Sequence, residues 1–280
     1  MTTAEAARRE RIVEMVRRQG FASIETLAQE LAVTPQTIRR DINALCAKAV
    51  LRRYHGGAGL PSSVENLAYP TRQVLNLEEK RRIARLVARH IPDGASLLIN
   101  IGTTTEEVAK ALLDHSGLRV ITNNLNVAAM LAGKADFQVI VAGGTVRRAD
   151  GAVVGSTATQ LIGQFKVDYA IIGASAIDEE GALLDFDYRE VQVAQAIIAN
   201  ARSVMLVADS TKLRRSAPVR IAHMTQIQTF VTDQELPERL ATICHSKGIE
   251  VMAAMPKAAG EIDDAQTEPT QDPGSVVRLR

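Results

Sequence analysis

Apolar positions along this 280-residue chain follow two different rhythms. Over the first sixty residues the spacing is helical. Ile12, Val13, Met15 and Val16 predict a helix over 5–18, with Gly20 as its C-cap. Ser23 caps a short helix through Leu31, with Leu27 and Leu31 inward and Glu25 near the positive end of the dipole. After a tight Ala32-Val33 link, Thr34 is placed to cap the next helix and Pro35 suits its first position. Ile38, Ile42 and Leu45 recur at i, i+4 and i+7, so that helix has one dry face. Residues 50–54 and the His55-Gly56-Gly57 turn predict a short hairpin.

A helix over 76–90 follows, capped by Asn76, with Ile83, Leu86 and Val87 on one face. Beyond Gly94 the rhythm changes to short apolar runs at 96–101, 120–122, 138–142, 169–172, 204–208, 229–231 and 249–252. Helical stretches at 105–113, 125–132, 156–165, 188–200 and 235–246 separate most of them. Alternating β and α of this kind implies an α/β domain, a mostly parallel sheet covered by helices on both faces. The expected organisation is a winged helix-turn-helix over 1–58, a linker over 59–75 that includes Leu60-Pro61-Ser62-Ser63, and an α/β sensing domain over 76–253. Residues 254–280 are rich in Asp, Pro, Gln, Gly and Ala without periodicity and are expected to be a disordered tail.

Composition sharpens this division. Residues 1–60 carry 10 Lys/Arg against 6 Asp/Glu, a net +4, whereas the remainder carries 23 against 26, a net −3. A basic head on a mildly acidic body is the asymmetry of a nucleic-acid-binding unit joined to a sensor or oligomerisation domain. Aromatics are only 3% of the chain and tryptophan is absent, so the core must be aliphatic. Cys46 and Cys244 lie far apart, with no histidine at ligand spacing, so neither a metal nor a cofactor is expected. No signal peptide or long apolar run is apparent; the expected compartment is the cytoplasm, with no membrane partner.

At about 100° per residue, Gln36, Arg40 and Asn43 point away from the dry face of the third helix. Glutamine and asparagine pair with adenine and arginine with guanine in a major groove. The expected set on double-stranded DNA is Thr34, Gln36, Thr37, Arg39, Arg40 and Asn43 from the helix, with Arg52, Arg53 and His55 from the wing.

The α/β domain offers polar loops at the carboxyl ends of its strands, where ligands bind open sheets. Gly102, Thr103, Thr104 and Thr105 open a helix and are suited to cradle a phosphate. Thr122, Asn123 and Asn124 follow the second run, Gly143 and Gly144 the third, Gly173-Ala174-Ser175 the fourth, and Lys212 offers an ammonium after the fifth. Asp185, Asp187 and Glu190 cluster beside Tyr188; they are read as a helix N-terminus and as acceptors for ligand hydroxyls, in preference to catalytic acids.

The motifs Leu31-Ala32-Val33-Thr34-Pro35-Gln36-Thr37-Ile38-Arg39-Arg40-Asp41 and Leu51-Arg52-Arg53-Tyr54-His55-Gly56-Gly57-Ala58 resemble the signature of the DeoR family of transcriptional regulators. Ile101-Gly102-Thr103-Thr104 and Leu184-Asp185-Phe186-Asp187-Tyr188-Arg189-Glu190 extend the resemblance, which covers about 5–253. It implies a sensor fold related to ribose-5-phosphate isomerase and the coenzyme A transferases. It also implies a repressor, not an enzyme, acting as a homo-oligomer, a dimer or tetramer. Operator DNA is then one partner and a small phosphorylated effector the other, glycerol 3-phosphate being the one expected and another sugar phosphate the alternative. A sugar-phosphate isomerase or transferase carrying a DNA-binding head, and a purely structural DNA-binding protein, are the remaining readings. Asn100 departs from the family pattern, which usually has aspartate there, as do Ala194-Gln195 and Leu213-Arg214-Arg215.

Overall fold

A computed structural model describes residues 3–256, apart from 20, 48–49, 55 and 60–67. The expectations at Gly20 and His55, in the linker at 60–67 and in the tail at 257–280 lie outside the described residues.

The head comprises helix α1 (Thr3–Gln19), strand β1 (Phe21–Ser23), α2 (Ile24–Glu30), α3 (Pro35–Ala47), β2 (Arg52–Tyr54) and β3 (Gly57–Gly59). Ile12, Leu27 and Ile38 are completely buried at its centre, each worth about 1.5–3 kcal/mol relative to exposure. The wing is a hairpin as expected, but it is completed by β1, giving the order β1-β3-β2. Gly57 permits that packing, since a Cβ there would sit 2.3 Å from the Ala22 carbonyl oxygen.

The turn between α2 and α3 contains no glycine. Ala32 itself takes the left-handed conformation, at φ 50°. Its N–H bonds the Gln29 carbonyl at 3.3 Å, and the Val33 N–H bonds that of Ala28 at 3.0 Å. This pair of bonds is a Schellman cap, which closes α2 and turns the chain into α3.

Asp41, on the inward side of α3, is 1% exposed. Arg8 Nε donates to its Oδ2 at 2.6 Å and Arg9 Nε to its Oδ1 at 2.8 Å. The paired arginines hold α1 against α3 and supply the countercharge that a buried carboxylate requires.

The chain then forms α4 (Tyr69–Val74) and α5 (Leu77–Ala88). Residues 69–74 were expected within the linker; they are helical and lie on the body, contacting the helix α6 (Thr103–Ala111). Asn76 does stand at the N-terminus of α5, but its side chain does not cap it. The amide donates instead to Asp209 Oδ1 at 3.0 Å.

The body is a seven-stranded sheet. Its members are β4 (Ser96–Ile99), β5 (Arg119–Thr122), β6 (Gln138–Val141), β9 (Val167–Ile172), β12 (Ala201–Val207), β14 (Thr229–Thr232) and β15 (Glu250–Ala253). They run in the order β15-β14-β12-β9-β4-β5-β6, and every pairing is parallel. Each coincides with one of the seven apolar runs. Alternate residues serve opposite layers. Leu97 and Ile99 pack with α5, α6 and α7 (Leu125–Leu131). Leu98, Ala170 and Leu206 face α8 (Ser156–Ile162), α9 (Tyr188–Ala199) and α10 (Glu238–Ser246).

Two antiparallel additions have no counterpart in the sequence-based expectation. One is the hairpin β7 (Thr145–Arg147) and β8 (Ala152–Val154); the other joins β10 (Ala176–Ile177), β11 (Ala182–Asp185) and β13 (Val219–His223). Gly144 lets β7 close on β8, since a Cβ there would lie 2.8 Å from the Val154 carbonyl oxygen.

Replacing Asp41 by Ala removes the shared acceptor of Arg8 and Arg9. The expected loss is about 3 kcal/mol of head stability, seen as an earlier unfolding transition in urea with the body transition unmoved.

Candidate functional site

The first candidate surface is the outward side of α3. Thr34 caps the helix, its Oγ1 accepting from the Thr37 N–H at 3.3 Å. The two hydroxyls lie 3.0 Å apart, so half-buried Thr37 is engaged with the cap. Gln36, Arg39, Arg40 and Asn43 are exposed, opposite buried Ile38, Ile42 and Leu45. The wing joins this face directly: Arg53 Nη1 donates to Asn43 Oδ1 at 2.9 Å. Arg52 stacks on Tyr54, its guanidinium carbon 5.9 Å from the ring centroid. The result is one surface of amides and guanidiniums, the donor set that reads base edges and phosphates.

The second candidate surface is the rim at the carboxyl ends of the strands. Here the predicted residues divide into two kinds. Thr122, Asn123 and Asn124 are fully buried and brace the rim from within. Thr122 Oγ1 donates to the Ile99 carbonyl at 2.7 Å, and Asn123 Oδ1 accepts from the Ile101 N–H at 3.2 Å. Asn124 caps α7 through its Oδ1 and donates its amide to Glu106 Oε1 at 3.1 Å. Thr105 is likewise turned inward, its hydroxyl bonding the Asn100 and Gly102 carbonyls at 2.7 and 2.8 Å.

The other kind is not tied down by side-chain hydrogen bonds, although Thr103 and Thr104 are themselves buried, at 8% and 6% exposure. Gly143 and Gly144 are exposed. Gly102 opens α6, and the hydroxyls of Thr103 and Thr104 take no hydrogen-bond partner among the described residues. Asn100 is 2% exposed and its Oδ1 is buried without a partner, an unusual state beside so well-braced a loop. Among the described residues no group of three or more His, Cys, Asp or Glu is placed to hold a metal ion.

The charges around this rim were only partly visible beforehand. Arg147, on the hairpin, binds Asp150 through Nε at 2.8 Å and Nη2 at 2.7 Å. It also reaches Asp187 at 2.9 Å and Glu190 at 2.5 Å, so one guanidinium serves three carboxylates. Burial, with nearby Asp185 adding to it, pushes the Glu190 carboxyl up to about 7 despite the pull of Arg147. Asp187 also caps α9, accepting from the Arg189 N–H at 2.9 Å.

Cations gather beside them. Burial lowers Lys212 to about 8; Asp209 opposes that shift, while Arg215, Lys80 and Arg72 reinforce it. Lys80 is 2% exposed and burial brings it too to about 8. Arg72 donates to Asp150 Oδ2 at 3.1 Å. Tyr69, one turn earlier, donates its hydroxyl to Glu106, and burial, with that partnership adding to it, raises its pKa. Tyr69, Arg72, Lys80, Glu106, Arg147 and Asp150 were not anticipated as members of this region. In sum, the rim presents hydroxyls and cations that suit an anion, and carboxylates that accept from hydroxyl groups.

Comparison with known proteins bears on both surfaces. Residues 8–64 match the DeoR-like helix-turn-helix domain and residues 75–234 the DeoR C terminal sensor domain. The chain is 49% identical to the glycerol-3-phosphate regulon repressor of Escherichia coli K12, over 81% of this chain and 90% of that protein. It is 41% identical to the HTH-type transcriptional repressor CsqR of the same organism, over 88% and 94% of the respective chains. Among solved structures, ribose 5-phosphate isomerase A of Methanocaldococcus jannaschii is similar with a TM-score of 0.37 and 15% identity, over 49% of this chain and 55% of that one.

Replacing Arg147 by Met leaves Asp187 and Glu190 without their shared cation. Because carboxylates deprived of that cation hold protons in the folded state above their unfolded pKa, the deficit grows as pH rises above about 4.5. A loss of about 3–5 kcal/mol at pH 8, shrinking by pH 5 in denaturant titrations, is expected. A pH-independent loss would point to packing alone.

Proposed function

We propose that this chain, which belongs to the DeoR family of transcriptional regulators, represses genes of glycerol and glycerol 3-phosphate use and leaves its operators when glycerol 3-phosphate binds. That it is a DNA-binding repressor and not an enzyme follows from its family. The effector is the proposal. The observation that carries it is 49% identity across 90% of a relative named for the glycerol-3-phosphate regulon.

In this reading the head docks as a winged helix-turn-helix. Gln36, Arg40 and Asn43 meet base edges in the major groove, and Arg39, Arg52, Arg53 and His55 meet phosphates. The effector's phosphate lies on the Gly102–Thr104 loop at the N-terminus of α6, helped by Lys212. Gly143 and Gly144 border it, and Glu190 accepts from its hydroxyls. A homo-oligomer, dimer or tetramer, binds repeated half-sites in the cytoplasm. Moving a two-state equilibrium from 99:1 to 1:99 takes about 5.5 kcal/mol of differential affinity, which several occupied subunits supply together.

A second reading is favoured by the 41% identity to CsqR, a repressor whose name carries no reference to glycerol. The same rim then takes a different phosphorylated sugar. Calorimetric titration of the full chain with glycerol 3-phosphate, glycerol and fructose 1-phosphate separates the two. Saturation by glycerol 3-phosphate alone supports the first; preference for the sugar phosphate supports the second.

Two further outcomes are expected. Replacing Arg40 by Ala costs about 1–3 kcal/mol of operator affinity and relaxes base preference at one position; unchanged binding in a gel-shift series would mean α3 is oriented otherwise. Effector affinity should fall as pH rises through about 8, because Lys212 and Lys80 lose their protons there. Titrations at pH 7, 8 and 9 test this, and a flat profile would remove both lysines from the phosphate site.

A further inference from the structure

We propose that Arg72 is a direct ligand of the effector's anionic group, and that through it the connecting helix α4 senses occupancy of the rim. This rests on the rim being the effector site. It adds a residue from outside the strand-end loops, and it gives the bound molecule a physical hold on the segment between wing and body.

Four observations converge on Arg72. Its Nε is buried and has no partner. Among the described residues its side chain donates to Asp150 at 3.1 Å, a carboxylate already satisfied at both oxygens by Arg147 at 2.8 and 2.7 Å. Arg72 can therefore leave Asp150 without stranding a carboxylate. Its charge also lies close enough to Lys80 and Lys212 to disfavour their protonated forms. Lys212, Lys80, Arg215 and Arg72 thus lie near enough to act on one another, a grouping of cations at which a phosphate would be received. Guanidinium presents parallel N–H groups that match two oxygens of a phosphate, which a half-used fork with a spare Nε is suited to do.

The backbone ties this exchange to α4. Lys80 Nζ donates to the Arg72 carbonyl, and the Tyr69 hydroxyl donates to Glu106 at 2.8 Å. The helix is thus fastened to α5 through the arginine's own carbonyl and to α6 through Tyr69, one turn earlier. A shift of the Arg72 side chain from Asp150 toward an anion therefore acts on α4 at the point where it is held. The next element toward the N-terminus is the wing.

The test uses the full chain, wild type and the variants Arg72→Met and Arg72→Lys. Each is titrated calorimetrically with glycerol 3-phosphate, fructose 1-phosphate and inorganic phosphate, and each is assayed for operator binding and effector-driven release by fluorescence anisotropy. For whichever phosphate compound the wild type binds, Arg72→Met should weaken binding roughly tenfold or more and Arg72→Lys less, since an ammonium keeps charge but not the fork. Operator binding without effector should persist in both, which also shows that they fold. A variant with wild-type effector affinity and wild-type release overturns the inference while leaving the effector site in place. A wild type that binds none of the three compounds overturns both the inference and the reading it rests on. If Arg72→Met does not fold, Arg72→Lys decides: equal affinity to wild type overturns the proposal.

Discussion

Arg147 is the cation on which the rim of the sensor depends. It comes from a hairpin absent from the minimal β/α alternation, and it meets Asp150 in its own turn and Asp187 and Glu190 at the start of α9. Without it, two carboxylates of the α9 N-terminus and one of the hairpin would face one another in a partly buried space. Like charges so placed resist ionisation, and the elevated Glu190 shows how near that limit the cluster already lies. The arginine therefore fixes where the hairpin sits against α9.

The head uses the inverse arrangement. There a single buried acid, Asp41, receives two arginines from α1. In both places a charged group far from its partners in sequence joins elements that apolar packing brings near but does not orient. Aliphatic side chains interdigitate in many ways; a guanidinium and a carboxylate share few geometries. With aromatics at 3% of the chain, the core has few large rigid side chains for that purpose.

The seven strands were legible because the five inner ones are largely buried on both faces and so read as apolar runs between polar loops, while β6 and β15, at the edges, keep apolar residues although they are partly exposed. The α3 helix was legible because cap, proline and i, i+4, i+7 spacing agree locally. What escaped notice depends on distance. Asp41 looked like part of the reading helix, yet its partners lie more than thirty residues away. Arg72 and Asp150 are separated by 78 positions, and nothing around either announces the pairing. Hairpin β7–β8 and strand β10 are too short to show a period. Thr122, Asn123 and Asn124 were found as a loop at a strand end, but their inward hydrogen bonds follow from the neighbouring β8 and α6, which only the fold supplies. The family resemblance pointed to these strand-end segments; it did not distinguish side chains that brace from those that do not.

The division of α3 into a buried side and an exposed side has an evolutionary consequence. Every group that anchors the helix, from Ile38 and Asp41 to Ile42 and Leu45, lies on the dry side. Gln36, Arg39, Arg40 and Asn43 stand in solvent. Exposed positions of that kind exchange side chains at a cost usually within about 0.5 kcal/mol. In the proposed operator-binding mode, duplicated copies of such a gene can therefore change these side chains one at a time, while the scaffold that presents them stays folded throughout.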